Sequence, residues 1–159
     1  MAVTAPSRLD GTALEAWRSF LQSHASILRE LDADLVAEHG MTSRDYEVLL
    51  YLSQAPERAL PMSALAESTM LTRSGITRLI DGLVAAGLIE RHACAKDARV
   101  SYAKLTDAGY EKLRRAGCTH VAGINRLFLE HFSREEIDQL AALLGRLPGA
   151  GYGGSCTAD

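Results

Sequence analysis

Apolar residues at three- and four-residue steps run through most of this chain of 159 residues and predict a mainly helical protein. The first predicted helix spans residues 12–39, and its apolar stripe consists of Leu14, Trp17, Leu21, His24, Leu28, Leu31 and Leu35. Gly40 follows and supplies the left-handed residue at which helices commonly end. The spacing therefore indicates a long helix with one apolar face.

Two shorter helices are predicted next. Thr42 is expected to cap a second helix, because Asp45 stands three residues later and completes a capping-box pair. The apolar side of that helix consists of Tyr46, Leu49, Leu50 and Leu52. Pro56 lies in the following turn. A third helix is expected over residues 61–68, since Pro61 suits an early helical position and Leu65 and Ala66 can face inward.

The segment 71–105 predicts a fourth helix followed by a β-hairpin. The helix is expected to begin after the capping residue Thr72 and to end at Gly87. Its apolar face consists of Leu71, Ile76, Leu79, Ile80, Leu83, Val84 and Leu88, and its opposite face carries Arg73, Ser74, Thr77 and Arg78. From Leu88 to Leu105 the period changes to alternation, along two strands that flank the polar turn 93–99.

Helical spacing resumes at Thr106 and predicts two further helices. The fifth contains three glycines, which are expected to weaken it or to permit close approach of a partner: Gly109, Gly117 and Gly123. Ser133 and Glu136 form a capping box for the last helix. Its apolar residues are Ile137, Leu140, Leu143, Leu144 and Leu147. The expected fold class is therefore α+β, mainly α with a small β-hairpin.

The flanking helices, residues 12–39 and 106–147, carry more apolar surface than a small neighbouring domain covers. Pairing of these helices between two chains would bury it, so an obligate homodimer is predicted. The alternative is a monomer in which these flanking helices, or arms, fold back on their own chain. Residues 42–105 are expected to form the central domain, and residues 1–11 and 148–159 are expected to be flexible tails.

Basic charge is concentrated in one part of an acidic chain. The chain has 17 Lys and Arg against 20 Asp and Glu, a net charge of −3. Residues 71–104 contain six basic and three acidic residues, or +3, so the remainder carries 11 against 17, or −6. A local excess of this kind suits contact with nucleic acid through one narrow surface. A merely solvated helix face is the alternative.

Several function classes are disfavoured. The sequence shows no signal peptide and no apolar run of the roughly 20 residues that span a bilayer, so a cytoplasmic protein without membrane contact is expected. Cys94, Cys118 and Cys156 form no C-x-x-C pair, and His92 with Cys94 is too small a set for a metal site. Neither a nucleophile elbow, a phosphate loop nor an H-E-x-x-H pair occurs. Neither enzyme activity nor a cofactor is expected.

The order and spacing of short motifs resemble the MarR (multiple-antibiotic-resistance regulator) family of winged helix-turn-helix transcription factors, over nearly all of residues 12–147. The matching segments are Gly40-Met41-Thr42, Leu65-Ala66, Leu71-Thr72, Gly87-Leu88-Ile89-Glu90-Arg91, Asp97-Ala98-Arg99 and Leu105-Thr106-Asp107-Ala108-Gly109. The resemblance implies a winged helix-turn-helix domain with helical dimerisation arms.

The resemblance also implies a function. A homodimer would place the fourth helix of each subunit in successive major grooves of a pseudo-palindromic operator in double-stranded DNA, and Arg99 of each hairpin, or wing, in the flanking minor groove. The residues expected to contact DNA are Thr72, Arg73, Ser74, Thr77, Arg78, Lys96 and Arg99. Asp97 is expected to orient an arginine. Repression is the common mode of the family. A winged-helix protein-interaction module without specific DNA binding is the alternative.

Two departures and one candidate ligand site accompany the resemblance. Pro61 stands where relatives often have Ser or Thr, and Ala98 where many have a second arginine. Many relatives sense small phenolic or anionic molecules in a cleft beside the dimer arms. Here the residues expected to bind an aromatic or anionic effector are Trp17, His39, Tyr46 and Arg91. Alternatively, Trp17 belongs to the core and Arg91 contacts DNA or a carboxylate.

Overall fold

The computed structural model describes residues 10–69, 71–93 and 100–148. Its elements, in chain order, are α1 (Gly11–His39), α2 (Ser43–Gln54), β1 (Ala59–Pro61), α3 (Met62–Ser68), α4 (Arg73–Ala85), β2 (Ile89–Ala93), β3 (Ser101–Leu105), α5 (Asp107–Leu127) and α6 (Arg134–Leu144). Short 3₁₀ turns lie at Pro56–Arg58 and Leu129–His131. The predicted order of helices and the hairpin strands is confirmed.

The helix ends coincide with the capping residues found in the sequence. The Thr42 hydroxyl accepts a hydrogen bond from the Asp45 main-chain nitrogen, and the Asp45 carboxylate accepts one from Thr42 in return. Ser133 and Glu136 form the same reciprocal pair, which lowers the pKa of the Glu136 carboxyl. Gly40 ends α1 with a φ of 60°. These boundaries follow from interactions within four residues of sequence.

The sheet has one strand that the sequence pattern did not predict. β3 lies between β1 and β2, and both pairings are antiparallel. In β1, Ala59 pairs with Lys104 and Pro61 with Tyr102. The three residues of β1 are too few to show alternation, and Pro61 is tolerated because β1 is an edge strand. The expectation of a two-stranded hairpin was therefore incomplete.

The core lies where α2, α3, α4 and the sheet meet. The C-terminal end of α1 and the N-terminal half of α5 also contribute residues to it. Its fully buried side chains include Leu35, Val48, Leu49, Leu52, Leu65, Ile76, Ile80 and Ile89. The inward faces predicted for α2 and α3 are confirmed, except that Leu50 is only partly buried and the buried Val48 was missed. Val84 was wrongly assigned to the buried face of α4, because its side chain is exposed near the end of that helix.

The C-terminal half of α1 packs against the C-terminal half of α5. The Cδ2 atom of Leu31 lies so close to Gly123 that a Cβ on the glycine would overlap it, and Arg126 forms an ion pair with Asp34 at 2.7 Å. The prediction that glycine permits close approach is confirmed here. No described helix combines the length and apolarity that crossing a membrane requires.

Elsewhere the arms expose apolar side chains. The indole of Trp17 is 54% exposed and Leu143 is 52% exposed, and no residue of α6 is buried. Of the predicted apolar stripe on α1, only Leu31 and Leu35 are buried within the chain. The N-terminal half of α1 and the C-terminal end of α6 together line a shallow groove formed by Ala16, Trp17, Phe20, Leu143, Leu144 and Leu147. This arrangement leaves an apolar surface uncovered in a single chain.

Candidate DNA-binding interface

Helix α4 separates buried apolar residues from exposed polar ones. Ile76, Ile80 and Leu83 enter the core, and this fixes the rotation of the helix about its axis. The capping residue and the four residues predicted for the opposite face are all exposed: Thr72, Arg73, Ser74, Thr77 and Arg78. The Thr72 hydroxyl accepts a hydrogen bond from the Gly75 main-chain nitrogen at 3.1 Å and so begins the helix. The exposed face is therefore built by the same periodicity that builds the core.

The polar groups on this face differ in their availability to a ligand. Thr77 donates its hydroxyl proton to the Arg73 main-chain oxygen at 2.8 Å, so this hydroxyl can only accept further hydrogen bonds. Thr72 and Ser74 hydroxyls lie 3.2 Å apart. Among the described residues, neither the Arg73 nor the Arg78 side chain has a hydrogen-bond or ion-pair partner. Their guanidinium groups remain available to phosphate or base acceptors.

The preceding helix is held in place by α2. The Thr69 side chain, which is 1% exposed, donates to the Leu65 main-chain oxygen, and Leu71 donates its main-chain hydrogen to Ala66. Arg44 on α2 donates to the Thr69 main-chain oxygen at 3.3 Å and pairs with Glu47 at 2.9 Å. These contacts fix the turn between α3 and α4, which is the turn of a helix-turn-helix unit.

The hairpin adjoins α4, but its tip falls outside the described residues. Lys96, Asp97 and Arg99, predicted to contact DNA or to orient an arginine, all belong to that segment. The described base of the hairpin is regular, and five residue pairs of β2 and β3 face each other in register. The described strands therefore end at Ala93 and begin again at Ser101, on either side of this segment.

Arg91 contacts α4. Its Nη2 atom lies 2.8 Å from the Asp81 carboxylate and donates to the Thr77 main-chain oxygen at 3.3 Å, so Arg91 joins β2 to α4. Its assignment to an effector pocket is not supported by this position. The alternative from the sequence, contact with a carboxylate, describes what Arg91 does.

The other residues of the predicted effector site also separate. Trp17 and His39 lie 22 residues apart on one helix, a distance of about 33 Å at the standard helical rise. Trp17 instead faces Phe20. No single pocket within one chain can therefore contain the four residues Trp17, His39, Tyr46 and Arg91.

His39 and Tyr46 contact consecutive residues of α5. His39 Nε2 lies 2.8 Å from the Thr119 hydroxyl, which donates to Glu38 at 2.7 Å. The ring centroids of Tyr46 and His120 are 4.7 Å apart. His120 Nδ1 is buried without a partner among the described residues, and burial lowers the pKa of this imidazole. Thr119 and His120 were missed because polar residues on a predicted helix carry no periodicity signal of their own.

The family model described as MarR family matches residues 39–100 of the chain. Among curated proteins, the chain is 31% identical over 133 residues to the uncharacterized HTH-type transcriptional regulator YkoM of Bacillus subtilis, a match that covers 83% of each. It is 30% identical over 111 residues to the HTH-type transcriptional repressor YetL of the same organism, covering 70% of this chain and 66% of YetL.

Two solved structures from Streptomyces coelicolor are similar along most of the chain. AbsC, a MarR family transcriptional regulator, has 33% identity and a TM-score of 0.79, with 86% of this chain and 92% of AbsC covered. Sco3205, a MarR family regulator crystallised in complex with DNA, has 29% identity and a TM-score of 0.81, with 92% and 94% covered. Both sequence and architecture thus agree with these regulators.

Proposed function

The chain belongs to the MarR family of winged helix-turn-helix transcriptional regulators, and from that premise we propose that it is a homodimeric repressor. In this proposal it binds a pseudo-palindromic operator in double-stranded DNA. Residues 42–105 act as the DNA-binding domain, and the helices within 12–39 and 106–147 act as dimerisation arms.

The observation that carries DNA binding is the exposed face of α4. It presents Arg73 and Arg78, whose side chains have no partner among the described residues, on a helix held rigidly by its buried face. An α-helix fits the major groove. An arginine guanidinium that donates hydrogen bonds to both acceptors of a guanine distinguishes guanine from the other bases. Thr72, Ser74 and Thr77 add hydroxyl groups of the kind that bond phosphates.

The wing completes the proposed contact with DNA. Lys96 would neutralise a backbone phosphate, and Arg99 would enter the minor groove beside the half-site, with Asp97 orienting an arginine. The described strands support this placement because β2, which precedes residues 94–99 in the chain, is bonded to α4 through Arg91. Helix and wing of one subunit would then contact adjacent grooves.

The dimer is supported by the uncovered apolar surface of the arms. Trp17, Leu28, Leu143 and Leu147 are each close to half exposed, although water contact with such side chains is unfavourable. A second copy of the chain offers the same surface, so a two-fold interface would cover both copies at once. The two α4 helices of such a dimer would read half-sites about one helical turn apart.

Repression is proposed because the similar YetL is named as a repressor. Relief by a small aromatic or anionic effector is part of the proposal, and we propose the junction of α1, α2 and α5 as its site. His39 and Tyr46 are retained there, beside Thr119 and His120. Trp17 is not retained because it lies far from His39 along α1. Arg91 is not retained because it is bonded to α4.

The test is a selection of bound fragments from a library of random duplexes, followed by binding assays on the selected and scrambled duplexes. The expected result is a two-fold-related motif bound more tightly than the scrambled duplex at physiological salt. Arg114→Ala is a matched control, because Arg114 lies on α5 and pairs with Glu111. Failure to enrich any motif, with a folded protein, would refute the proposal in favour of a protein-interaction module.

A further inference from the structure

Arg91 links two successive turns of the proposed recognition helix to the wing. Its Nη2 atom contacts the main-chain oxygen of Thr77 at 3.3 Å and the carboxylate of Asp81 at 2.8 Å. Residues four apart lie on the same side of a helix. The guanidinium of Arg91 on β2 therefore contacts two positions of α4 that lie one helical turn apart.

Both ends of this link are rigidly supported. On the strand side, Arg91 pairs with Ala103 of β3, which is fully buried, and Ile89 on the same face of β2 enters the core. On the helix side, Ile76 and Ile80 are buried next to the two residues that Arg91 contacts. The ion pair thus joins two packed elements rather than two mobile side chains.

Its effect on overall stability should be small. The Asp81 side chain is 60% exposed and that of Arg91 is 37% exposed. Ion pairs with this much solvent contact contribute little to folding, because water and salt screen them. The position of the pair is more informative, since Thr77 and the adjacent Arg78 lie on the exposed face of α4 and β2 leads directly into residues 94–99.

We propose that Arg91 and Asp81 are positioning residues for operator recognition: their ion pair fixes the orientation of α4 relative to the wing. Arg91 also neutralises the carboxylate of Asp81, which would otherwise repel DNA phosphates near the helix. The inference rests on the proposed function. It adds that specificity depends on two residues that need not touch a base.

The test compares Asp81→Ala, Arg91→Ala and the double variant on the selected operator and on a scrambled duplex of equal length. The wild-type operator preference should fall about tenfold in each single variant, in the range that removal of a base-reading side chain produces. The double variant should be no more impaired than Arg91→Ala, because Arg91→Ala already removes both the ion pair with Asp81 and the hydrogen bond to Thr77. Alanine suits a helix interior, so Asp81→Ala should leave the melting temperature nearly unchanged.

Asp81→Ala is the decisive variant. Under the proposal it reduces operator preference while binding to the scrambled duplex stays constant or strengthens, because a negative charge near DNA is removed. If Arg91 is instead a phosphate anchor, Arg91→Ala weakens both duplexes equally and Asp81→Ala leaves the preference intact. Equal losses on both duplexes with a lowered melting temperature indicate a structural role. Either result overturns the positioning proposal.

Glu111→Gln provides the matched control. It breaks the ion pair with Arg114 on α5, where the side chains are 47% and 64% exposed, and it should leave operator preference unchanged. A wild-type protein that binds the scrambled duplex as tightly as the selected one would overturn both the proposed function and this inference. A specific wild-type protein with a fully specific Asp81→Ala variant overturns the inference alone.

Discussion

Gly109 packs directly against the main-chain carbonyl of Leu88, and a Cβ at this glycine would overlap the carbonyl oxygen. The same oxygen accepts a hydrogen bond from the Thr106 main-chain nitrogen at 3.1 Å, and the Thr106 hydroxyl donates to Gly87 at 2.8 Å. These contacts join the end of α4 to the start of α5. The winged-helix unit is thereby attached to the arm through main-chain atoms that cannot move independently.

We expect Gly109→Ala to destabilise the fold by about 1–3 kcal/mol, because inserting a methyl group into a closely packed site forces the main chain apart. Urea unfolding at constant protein concentration measures the free energy of unfolding. Gly82→Ala on α4 is the control, since nothing lies within 4 Å of its added Cβ. There, alanine should stabilise by about 0.5–1 kcal/mol through helix propensity. An unchanged free energy of unfolding in Gly109→Ala would show that α5 is not closely packed against Leu88.

The proposed dimer predicts that Trp17→Asp or Leu143→Asp yields monomer at micromolar concentration, because a charge in an apolar interface is costly. Light scattering after gel filtration gives the mass, and circular dichroism tests folding. Trp17 is the only tryptophan of the chain, so wild-type emission should shift to the red when dilution dissociates the dimer. Gln54→Asp adds a charge on α2 as a control. A wild-type monomer of 17.2 kDa would contradict the prediction.

Base reading by α4 predicts unequal effects on two kinds of DNA. Arg73→Ala or Arg78→Ala should weaken operator binding by roughly 1–3 kcal/mol for each bidentate hydrogen-bonded pair that the substitution removes, and should weaken binding to random duplex much less. Fluorescence anisotropy at fixed salt measures both constants. Equal losses on operator and random duplex would reduce that arginine to a phosphate-binding residue.

Minor-groove insertion predicts that the contribution of Arg99 depends on groove width. Arg99→Ala should lower affinity most on A·T-rich flanks, where the groove is narrow and its potential most negative. The same substitution should leave the base preferences at the positions that α4 contacts almost unchanged. Measurements on operators that differ only in their flanks test this. Full affinity with unaltered flank preference would show that the wing does not touch DNA.

Lys96→Ala should behave differently from Arg99→Ala. If Lys96 neutralises one phosphate, its removal weakens binding equally on every flank and reduces the salt slope by roughly one unit. Titrations at several salt concentrations provide the slope. An unchanged slope would remove Lys96 from the proposed interface.

Burial of His120 predicts a stability that rises with pH. The pKa of this imidazole in the folded protein lies below its ordinary value of 6.5, because burial disfavours the imidazolium. Between the folded and unfolded pKa values the unfolded chain binds more protons, so stability increases as pH rises through this window and decreases as pH falls. His120→Phe keeps an aromatic partner for Tyr46 and should flatten the dependence. Urea unfolding from about pH 5 to 7.5 measures it, with exposed His131→Gln as control.

The helices and the exposed face of α4 could be predicted from the sequence because the interactions that define them are local. Thr42 with Asp45, Ser133 with Glu136, and Gly40 each act within a turn of helix. The 3.6-residue period likewise places Ile76 and Ile80 on one side of α4 and Ser74 and Arg78 on the other. Such features need no knowledge of the neighbouring elements.

Contacts between elements could not be predicted in this way. β1 becomes a strand only because β3 offers it hydrogen-bonding partners. Arg91 meets Asp81, and Tyr46 meets His120, only through the angles at which their helices and strands pack. Trp17 and His39 cannot share a site in one chain, because a continuous helix keeps them far apart. The sequence determined which residues share a face of each helix, because that follows from backbone periodicity. Which outward residues meet was decided by the tertiary structure, because packing sets the distances between elements.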